Sequence, residues 1–137
     1  MKRFLMVIAL SVLGVALAHS ELTTSTPENG AVIKTMPATV TLNFSGGIET
    51  AFSTFKVYKY GGEVTRGQLR YFARQQVPLK NDESKRADAG TATDGTSSSV
   101  TIKLKPGLKP GVYVVMWHLL SVDTHTVDDF AYFTYKP

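Results

Sequence analysis

Short runs of alternating apolar and polar residues recur along most of this chain, and they constrain its fold more than any other feature. Clear examples are residues 40–44, 55–60 and 100–104. Successive side chains of a β-strand point to opposite faces, so this alternation is typical of strands with one buried face. No stretch of helical periodicity longer than a turn or two interrupts the runs. The pattern predicts an all-β chain.

Two further runs and the turns between them complete the predicted sheets. Residues 112–120 are apolar almost throughout, which is typical of a central strand covered on both faces, with Trp117 as its core anchor. Residues 131–135 form a last, aromatic-rich strand. Gly, Pro and Asn cluster between the runs, where chain reversals need a fixed or positive φ. About seven short strands separated by such turns predict a two-sheet β-sandwich.

One segment does not fit the strand pattern. Residues 80–99 are rich in Asp, Ser, Thr, Gly and Lys and contain almost no large apolar side chain. A segment of this composition has little apolar surface to bury in a core. We therefore expect residues 80–99 to form an exposed loop or a mobile insertion.

The first eighteen residues have the three parts of a secretory signal peptide. Lys2 and Arg3 form a basic start, an apolar run follows, and the segment closes with a small-x-small pattern at Ala18. The apolar run covers about fifteen residues, whereas a helix that spans a bilayer needs about 20. We predict cleavage after Ala18, so that residues 1–18 are the signal peptide and residues 19–137 form one exported domain that does not span the membrane.

The composition excludes several classes of function. Loss of Lys2 and Arg3 lowers the formal net charge from +4 to +2, and the other basic residues are scattered, so no nucleic-acid-binding surface is expected. The chain contains no cysteine, which excludes disulfides, thiolate metal sites and a Cys nucleophile. A metal ion would have to bind through nitrogen, oxygen or thioether groups.

Cleavage after Ala18 would make His19 the first residue of the exported protein. Its free α-amine and ring Nδ1 could then close a six-membered chelate on one ion, an arrangement that suits Cu(II). A histidine after a cleavage site is equally compatible with a frayed terminus of no function.

A second candidate pair, Asp123 and His125, follows the long apolar strand. Residues i and i+2 of an extended segment project from one face, about 6.6 Å apart, so carboxylate and imidazole could converge on one ion. The same spacing is also typical of an Asx turn or a surface pair. Amine, imidazole and carboxylate together favour Cu(II), with zinc as the rival ion. His118 alternates with Trp117, so we expect it on the opposite face, in a polar contact rather than on a metal.

These features resemble, in the same order, those of the CopC family of periplasmic copper proteins. Residues 25–31 (STPENGA) and 40–45 (VTLNFS) are similar to the family's S-x-P-x-x-G-A and L-x-F-S segments. Residues 108–125 are similar to its most specific run, L-x-x-G-x-Y-x-V-x-W-x-x-x-S-x-D-x-H. Residues 61–99 have no clear counterpart, so the resemblance covers both ends of the exported chain but not its middle.

The resemblance implies an immunoglobulin-like, Greek-key β-sandwich with a Cu(II) site at one end. The family's copper ligands fall on His19, through its amine and ring, and on Asp123 and His125. Ser121 and Trp117 match family positions that we interpret as packing or outer groups rather than ligands.

Two departures from the family pattern reduce the set of predicted metal ligands. Some members carry a Glu, considered to be near the copper, where this chain has Gly46, so we assign no Glu ligand. The methionine-rich Cu(I) segment of some members is also absent. Met36 and Met116 are the only methionines after the signal peptide, and single thioethers usually fill a core. We therefore expect no Cu(I) site.

The function implied by the resemblance is binding of Cu(II) in copper homeostasis or resistance, by a periplasmic monomer that is not an enzyme. Its expected partners are the copper ion and a CopD-like inner-membrane copper protein. One alternative is an enzyme similar to the copper monooxygenases that also begin with a chelating histidine. Those enzymes use a second histidine and keep an open position, whereas Asp123 would fill a position on the ion. The other alternative is a metal-free cell-surface module in which the candidate ligands coincide by chance.

Overall fold

Two four-stranded sheets and one helix make up the computed structural model, which describes residues 20–137. The predicted signal peptide and His19 lie outside these residues. The strands are β1 (Leu22–Thr26), β2 (Val32–Ile33), β3 (Thr39–Glu49), β4 (Thr54–Tyr60), β5 (Asp88–Thr91), β6 (Thr96–Leu104), β7 (Gly111–Leu120) and β8 (Thr126–Tyr135), and the helix is α1 (Arg66–Gln76). Short 3₁₀ turns occupy Thr50–Phe52 and Glu83–Lys85.

The two sheets have the strand orders β1-β3-β6-β5 and β2-β8-β7-β4. All strand pairs are antiparallel except β2 with β8. The chain changes sheet after β1, β2, β3, β4 and β6, so most strands that follow each other in sequence lie in different layers. This arrangement confirms the predicted Greek-key β-sandwich.

The core lies between the sheets and follows the alternation seen in the sequence. In β3, the alternate residues Val40, Leu42 and Phe44 are buried. Trp117 of β7 is 1% exposed, and its ring meets that of Phe44 edge-on with the centroids 5.6 Å apart. Edge-to-face aromatic pairs add to the stabilisation from buried area, which confirms Trp117 as a core anchor.

Strand β7 is buried on both faces, as its continuous apolar sequence predicts. Tyr113, Val115 and Trp117 point into the core between the sheets. Val114 and Met116 point the other way and pack beneath α1. The outer face of this sheet therefore has its own small apolar cluster, and α1 is the element that covers it.

Helix α1 was not predicted from the sequence. The side chain of Thr65 caps its first turn by accepting a hydrogen bond from the Gln68 N–H at 3.2 Å. Leu69 and Ala73 are buried against the sheet, with Phe72 packed beside them. The spacing i, i+3, i+4 is that of an amphipathic helix, but three residues are too few to make the period clear in the sequence.

Most of residues 80–99 are exposed, as expected, but the prediction that they form a loop is wrong. They include the second 3₁₀ turn, all of β5 and the start of β6. Asp88 is buried, and its carboxylate accepts a hydrogen bond from the Val57 N–H at 2.8 Å and another from Arg86 Nη2 at 2.6 Å. The segment docks on β4 through polar contacts, which leave no hydrophobic pattern in the sequence.

Asp82 is the second polar anchor of this segment and is 5% exposed. Lys56 Nζ lies 2.7 Å from its Oδ2 and also donates to the carbonyls of Gln76 at 3.1 Å and Leu79 at 2.7 Å. The Tyr58 hydroxyl donates to the same carboxylate oxygen. Burial alone would raise the pKa of Asp82, but the hydrogen bonds from Lys56 and Tyr58 outweigh it and hold the pKa at about 2. Asp82 is therefore ionised at neutral pH.

We predict that Asp82→Ala destabilises the protein by about 3–5 kcal/mol, because it leaves the Lys56 ammonium buried without its counter-ion. Asp94→Ala is the matched control, since Asp94 is exposed in the same segment and its loss should change stability by less than about 0.5 kcal/mol. Urea unfolding measures both. The stabilisation from Asp82 should persist at neutral pH and disappear as the pH falls below about 4 towards 2, since its folded pKa is the lower one. Equal stability of the two variants would contradict this anchor.

Candidate metal centre

Asp123 and His125 lie in the turn that joins β7 to β8, at one end of the sandwich. The Ser121 N–H donates to the His125 carbonyl at 2.8 Å, and the Thr124 N–H donates to the Ser121 carbonyl at 2.9 Å. Thr124 has a φ of 72°, in the left-handed region that residues other than glycine rarely adopt. These contacts reverse the chain within a few residues.

The turn brings the two candidate side chains together. His125 Nδ1 lies 3.2 Å from Asp123 Oδ2, and the His125 backbone N–H donates to Asp123 Oδ1 at 3.1 Å. The side chains are 44% and 24% exposed, but the two facing atoms are shielded from solvent. The predicted convergence is therefore found, although the predicted extended geometry is wrong. An Asx-type contact and the left-handed Thr124 produce the convergence instead.

The pKa of Asp123 lies below its usual range. The largest cause is the hydrogen bond from the His125 backbone N–H, followed by the interaction with the His125 side chain. Partial burial opposes these effects, and a hydrogen bond from Ser121 adds to them. The turn thus stabilises the carboxylate form, so Asp123 presents a negatively charged oxygen donor at neutral pH.

The N-terminal end of the described chain is fastened to this same turn. Ser20 is 1% exposed, and its hydroxyl lies 2.6 Å from that of Ser121. It also donates to the Gly47 carbonyl at 3.3 Å, and the Val122 N–H donates to that carbonyl at 3.0 Å. A Cβ atom at Gly46 would lie 2.8 Å from Ser20 Oγ, so this glycine leaves the space that the serine occupies. Strand β3 therefore holds Ser20 and the turn side by side.

Two of the three predicted ligands are brought together, and the third, His19, lies outside the described residues. Within residues 20–137 no three His, Cys, Asp or Glu side chains are grouped as a metal site requires. The described residues thus contribute the Asp123–His125 pair. Ser121, interpreted as an outer group, lies at the base of the turn and contacts Ser20.

His118 and the methionines lie away from this pair, as predicted. His118 Nδ1 contacts Asp128 Oδ1 at 2.5 Å on the outer face of the sheet, so its interaction is polar. Met116 is completely buried beneath α1, and Met36 packs against the main core. Both thioethers therefore serve as packing groups.

Ser20 and Gly46 are the contributors to the site region that sequence reasoning missed. The Ser20–Ser121 contact joins residues 101 positions apart, and short-range spacing contains no signal for such a contact. In the sequence, Gly46 stands out only because some family members carry a Glu at this position. Its role in leaving space for Ser20 follows from the three-dimensional packing.

Over the described part of the chain, α1 is too short to cross a membrane, and no other helix there is long and apolar enough to do so.

Comparison with known proteins identifies the family. The CopC domain matches residues 22–136. Protein YobA from Escherichia coli K12 is 31% identical over 119 residues, which are 87% of this chain and 80% of that protein. Copper transport protein CutJ from Bacillus subtilis is 27% identical over 110 residues, which are 80% of this chain but 17% of CutJ. The chain belongs to the CopC family.

Solved structures of this family have the same fold. PcoC, a methionine-rich copper resistance protein from Escherichia coli, matches with a TM-score of 0.62 and 26% identity over 87% of this chain and 100% of its own. CopC from Methylosinus trichosporium OB3b matches with a TM-score of 0.58 and 25% identity over 87% of this chain and 95% of its own. Family membership gives the chain a copper-related role and confirms the prediction that it is not an enzyme.

We predict that Ser121→Ala destabilises the protein by about 1–3 kcal/mol, because it removes the closest hydrogen-bond partner of the buried Ser20 hydroxyl. Ser25→Ala is the matched control. Ser25 is 6% exposed, and its hydroxyl has no hydrogen-bond partner among the described residues, so its removal should be nearly neutral. Urea unfolding of both variants tests this difference. If Ser121→Ala were as stable as Ser25→Ala, the contact between Ser20 and Ser121 would not stabilise the protein.

Proposed function

We propose that this protein binds one Cu(II) ion in the periplasm through His19, Asp123 and His125, and that it buffers the ion or passes it to a membrane partner. The observation that carries the proposal is the position of Ser20 against the turn that holds Asp123 and His125. Residues 1–18 direct export as a signal peptide, their removal leaves His19 as the N-terminal residue, and the exported protein acts as a monomer.

The reach of the chain supports this set of ligands. Ser20 and Ser121 are in hydroxyl contact at 2.6 Å, and Ser121 is two residues from Asp123. Consecutive Cα atoms are about 3.8 Å apart, so the peptide bond to Ser20 limits how far His19 can be from the turn. A terminal His19 has both an amine and a ring nitrogen to offer there, as the proposed chelate requires.

The spacing of the pair also suits one metal ion. Two donors that are each about 2.0–2.1 Å from an ion, at an angle near 90–100°, are themselves about 3 Å apart. Asp123 Oδ2 and His125 Nδ1 are 3.2 Å apart. The carboxylate is already ionised at neutral pH, so the ion does not have to displace its proton. An ion bound by both side chains would replace the direct contact between these two atoms.

The donor types favour Cu(II). One amine, two imidazoles and one carboxylate form a nitrogen-rich, tetragonal set, which Cu(II) binds more strongly than other divalent first-row ions. Cu(I) prefers thioethers, but Met36 and Met116 are engaged in packing. The same set argues against a copper monooxygenase, because the Asp123 carboxylate occupies a position that such an enzyme keeps open.

A relative of greater length supports the proposed partner. The region similar to this chain forms 17% of CutJ, which is a copper transport protein. In CutJ a domain of this kind is therefore part of a much larger transport protein. We propose that the present chain serves a CopD-like inner-membrane copper protein.

The copper ligands can be tested by substitution. We predict that Asp123→Ala and His125→Ala each weaken Cu(II) binding by more than about 100-fold. Loss of a metal ligand costs more affinity than loss of a group that only supports a ligand. His118→Ala is the matched control, because His118 lies on the outer sheet face and should not alter copper affinity. Competition titration with a Cu(II) chelator measures affinity, and circular dichroism checks folding. Loss of binding in His118→Ala but not in His125→Ala would overturn this assignment.

The terminus can be tested by adding one alanine before His19. The α-amine, with a pKa of about 7.7–8.0, then becomes an amide of His19 and a poor ligand, so we predict a loss of Cu(II) affinity of more than about tenfold. One alanine added after Pro137 is the control. The affinity of the protein that starts at His19 should also fall from pH 8 to pH 5, as protons compete for the amine and both imidazoles. Equal affinity of the two extended proteins at matched pH would refute the chelating terminus.

A further inference from the structure

A cleft of about 620 Å³ lies beside α1, on the outer face of the sheet that contains β4, β7 and β8. The helix covers the part of this face that carries Tyr58, Val114 and Met116. Past the end of the helix the cleft opens, lined by His118 and Phe130 from the strands and by the loop that follows α1. Its volume falls within the range of small-molecule sites, about 300–1,000 Å³. Neither Asp123 nor His125 lines it, so it is separate from the copper pair.

The buried ammonium group of Lys56 holds the wall of the cleft in place. Lys56 is 3% exposed and donates to the carbonyls of Gln76 and Leu79 and to Asp82. The ammonium thus meets the C-terminal end of α1, where unpaired carbonyls concentrate negative charge. Because this contact fixes the loop, the cleft exists before any ligand arrives, which lowers the entropic cost of binding.

Most charged groups around the cleft lie close to a hydrogen-bonding or oppositely charged partner. His118 contacts Asp128 at 2.5 Å, and Arg70 lies 3.9 Å from Asp129 and over the ring of Phe130. Arg86 binds Asp88 and faces Asp82. These pairs leave few charges available to a ligand.

Two cations of the cleft are left over. Neither Arg74 nor Lys80 forms an ion pair or a side-chain hydrogen bond with any residue in the range 20–137. Among the carboxylates that line the cleft, only Glu83 also lacks an ion pair and a side-chain hydrogen bond within residues 20–137. The lining of the cleft includes five Lys or Arg side chains and four carboxylates, so the formal charge of these groups is +1.

Apolar side chains also line the cleft, among them Ala73, Val77, Leu79 and Phe130. Small-molecule sites combine apolar lining with polar groups that orient the ligand. The planar guanidinium of Arg74 can pair with a carboxylate through two parallel hydrogen bonds, which an ammonium cannot do.

We propose that this cleft binds a small organic carboxylate, whose apolar body lies against Val77, Leu79 and Phe130 and whose carboxylate lies between Arg74 and Lys80. The ligand must combine both parts. The charge alone would remain hydrated, and an apolar cation would meet the wrong charge at the edge.

The test is an NMR titration of the ¹⁵N-labelled, metal-free protein with benzoate. Benzoate should cause saturable shifts in the amides of Val77, Leu79 and Phe130. Benzylamine has a similar ring with the opposite charge, and inorganic phosphate has the charge without the ring, so neither should cause these shifts. The double variant Arg74→Gln/Lys80→Gln should bind benzoate more than tenfold more weakly.

Arg66→Gln is the matched control, since Arg66 lies on the same helix but outside the cleft, and it should bind benzoate as the unaltered protein does. The proposal is overturned if millimolar benzoate causes no saturable shift, if the shifts lie elsewhere, or if benzylamine or phosphate causes the same ones. Unchanged benzoate binding by the double variant overturns it as well. Because the titration contains no copper, its failure would leave the proposed copper site untouched.

Discussion

Strand β7 must bury both of its faces, and the other elements of the structure are arranged to meet this requirement. Its inner residues, with Trp117 among them, need the second sheet to close the core. Its outer residues Val114 and Met116 need α1. The end of α1 leaves the remaining outer face open as a cleft, and the end of β7 leads into the turn that carries Asp123 and His125. Both candidate sites thus lie near the C-terminal end of β7, a strand that is covered on both faces.

The turn after β7 combines local and long-range constraints. Locally, the left-handed Thr124 and the hydrogen bond to Asp123 set the carboxylate beside the imidazole and lower its pKa. At long range, Ser121 holds Ser20, so that the beginning of the described chain meets the turn. A copper site assembled in this way would depend on the fold for two ligands and on proteolytic processing for the third.

The sequence allowed the strands and core to be predicted because burial of one or both faces leaves a period of two or a continuous apolar run. It allowed Asp123 and His125 to be paired, but on an extended geometry that the turn does not have. Helix α1 escaped prediction because its apolar stripe of Leu69, Phe72 and Ala73 is too short to show a clear period. Residues 80–99 escaped it because Asp82 and Asp88 hold them through ionic contacts and hydrogen bonds, which follow no period. The contact of Ser20 with Ser121 depends on how the ends of the chain meet, which no local pattern encodes.

If His19 and His125 both bind the metal, one Cu(II) ion has two imidazole ligands. Pulsed electron paramagnetic resonance of the copper-loaded protein that starts at His19 tests this directly, because the remote imidazole nitrogens modulate the echo. We predict one copper species with modulation from two imidazoles, reduced to that of one in His125→Gln and unchanged in His118→Gln. Modulation that persists undiminished in His125→Gln, or that falls in His118→Gln, would exclude the proposed ligands.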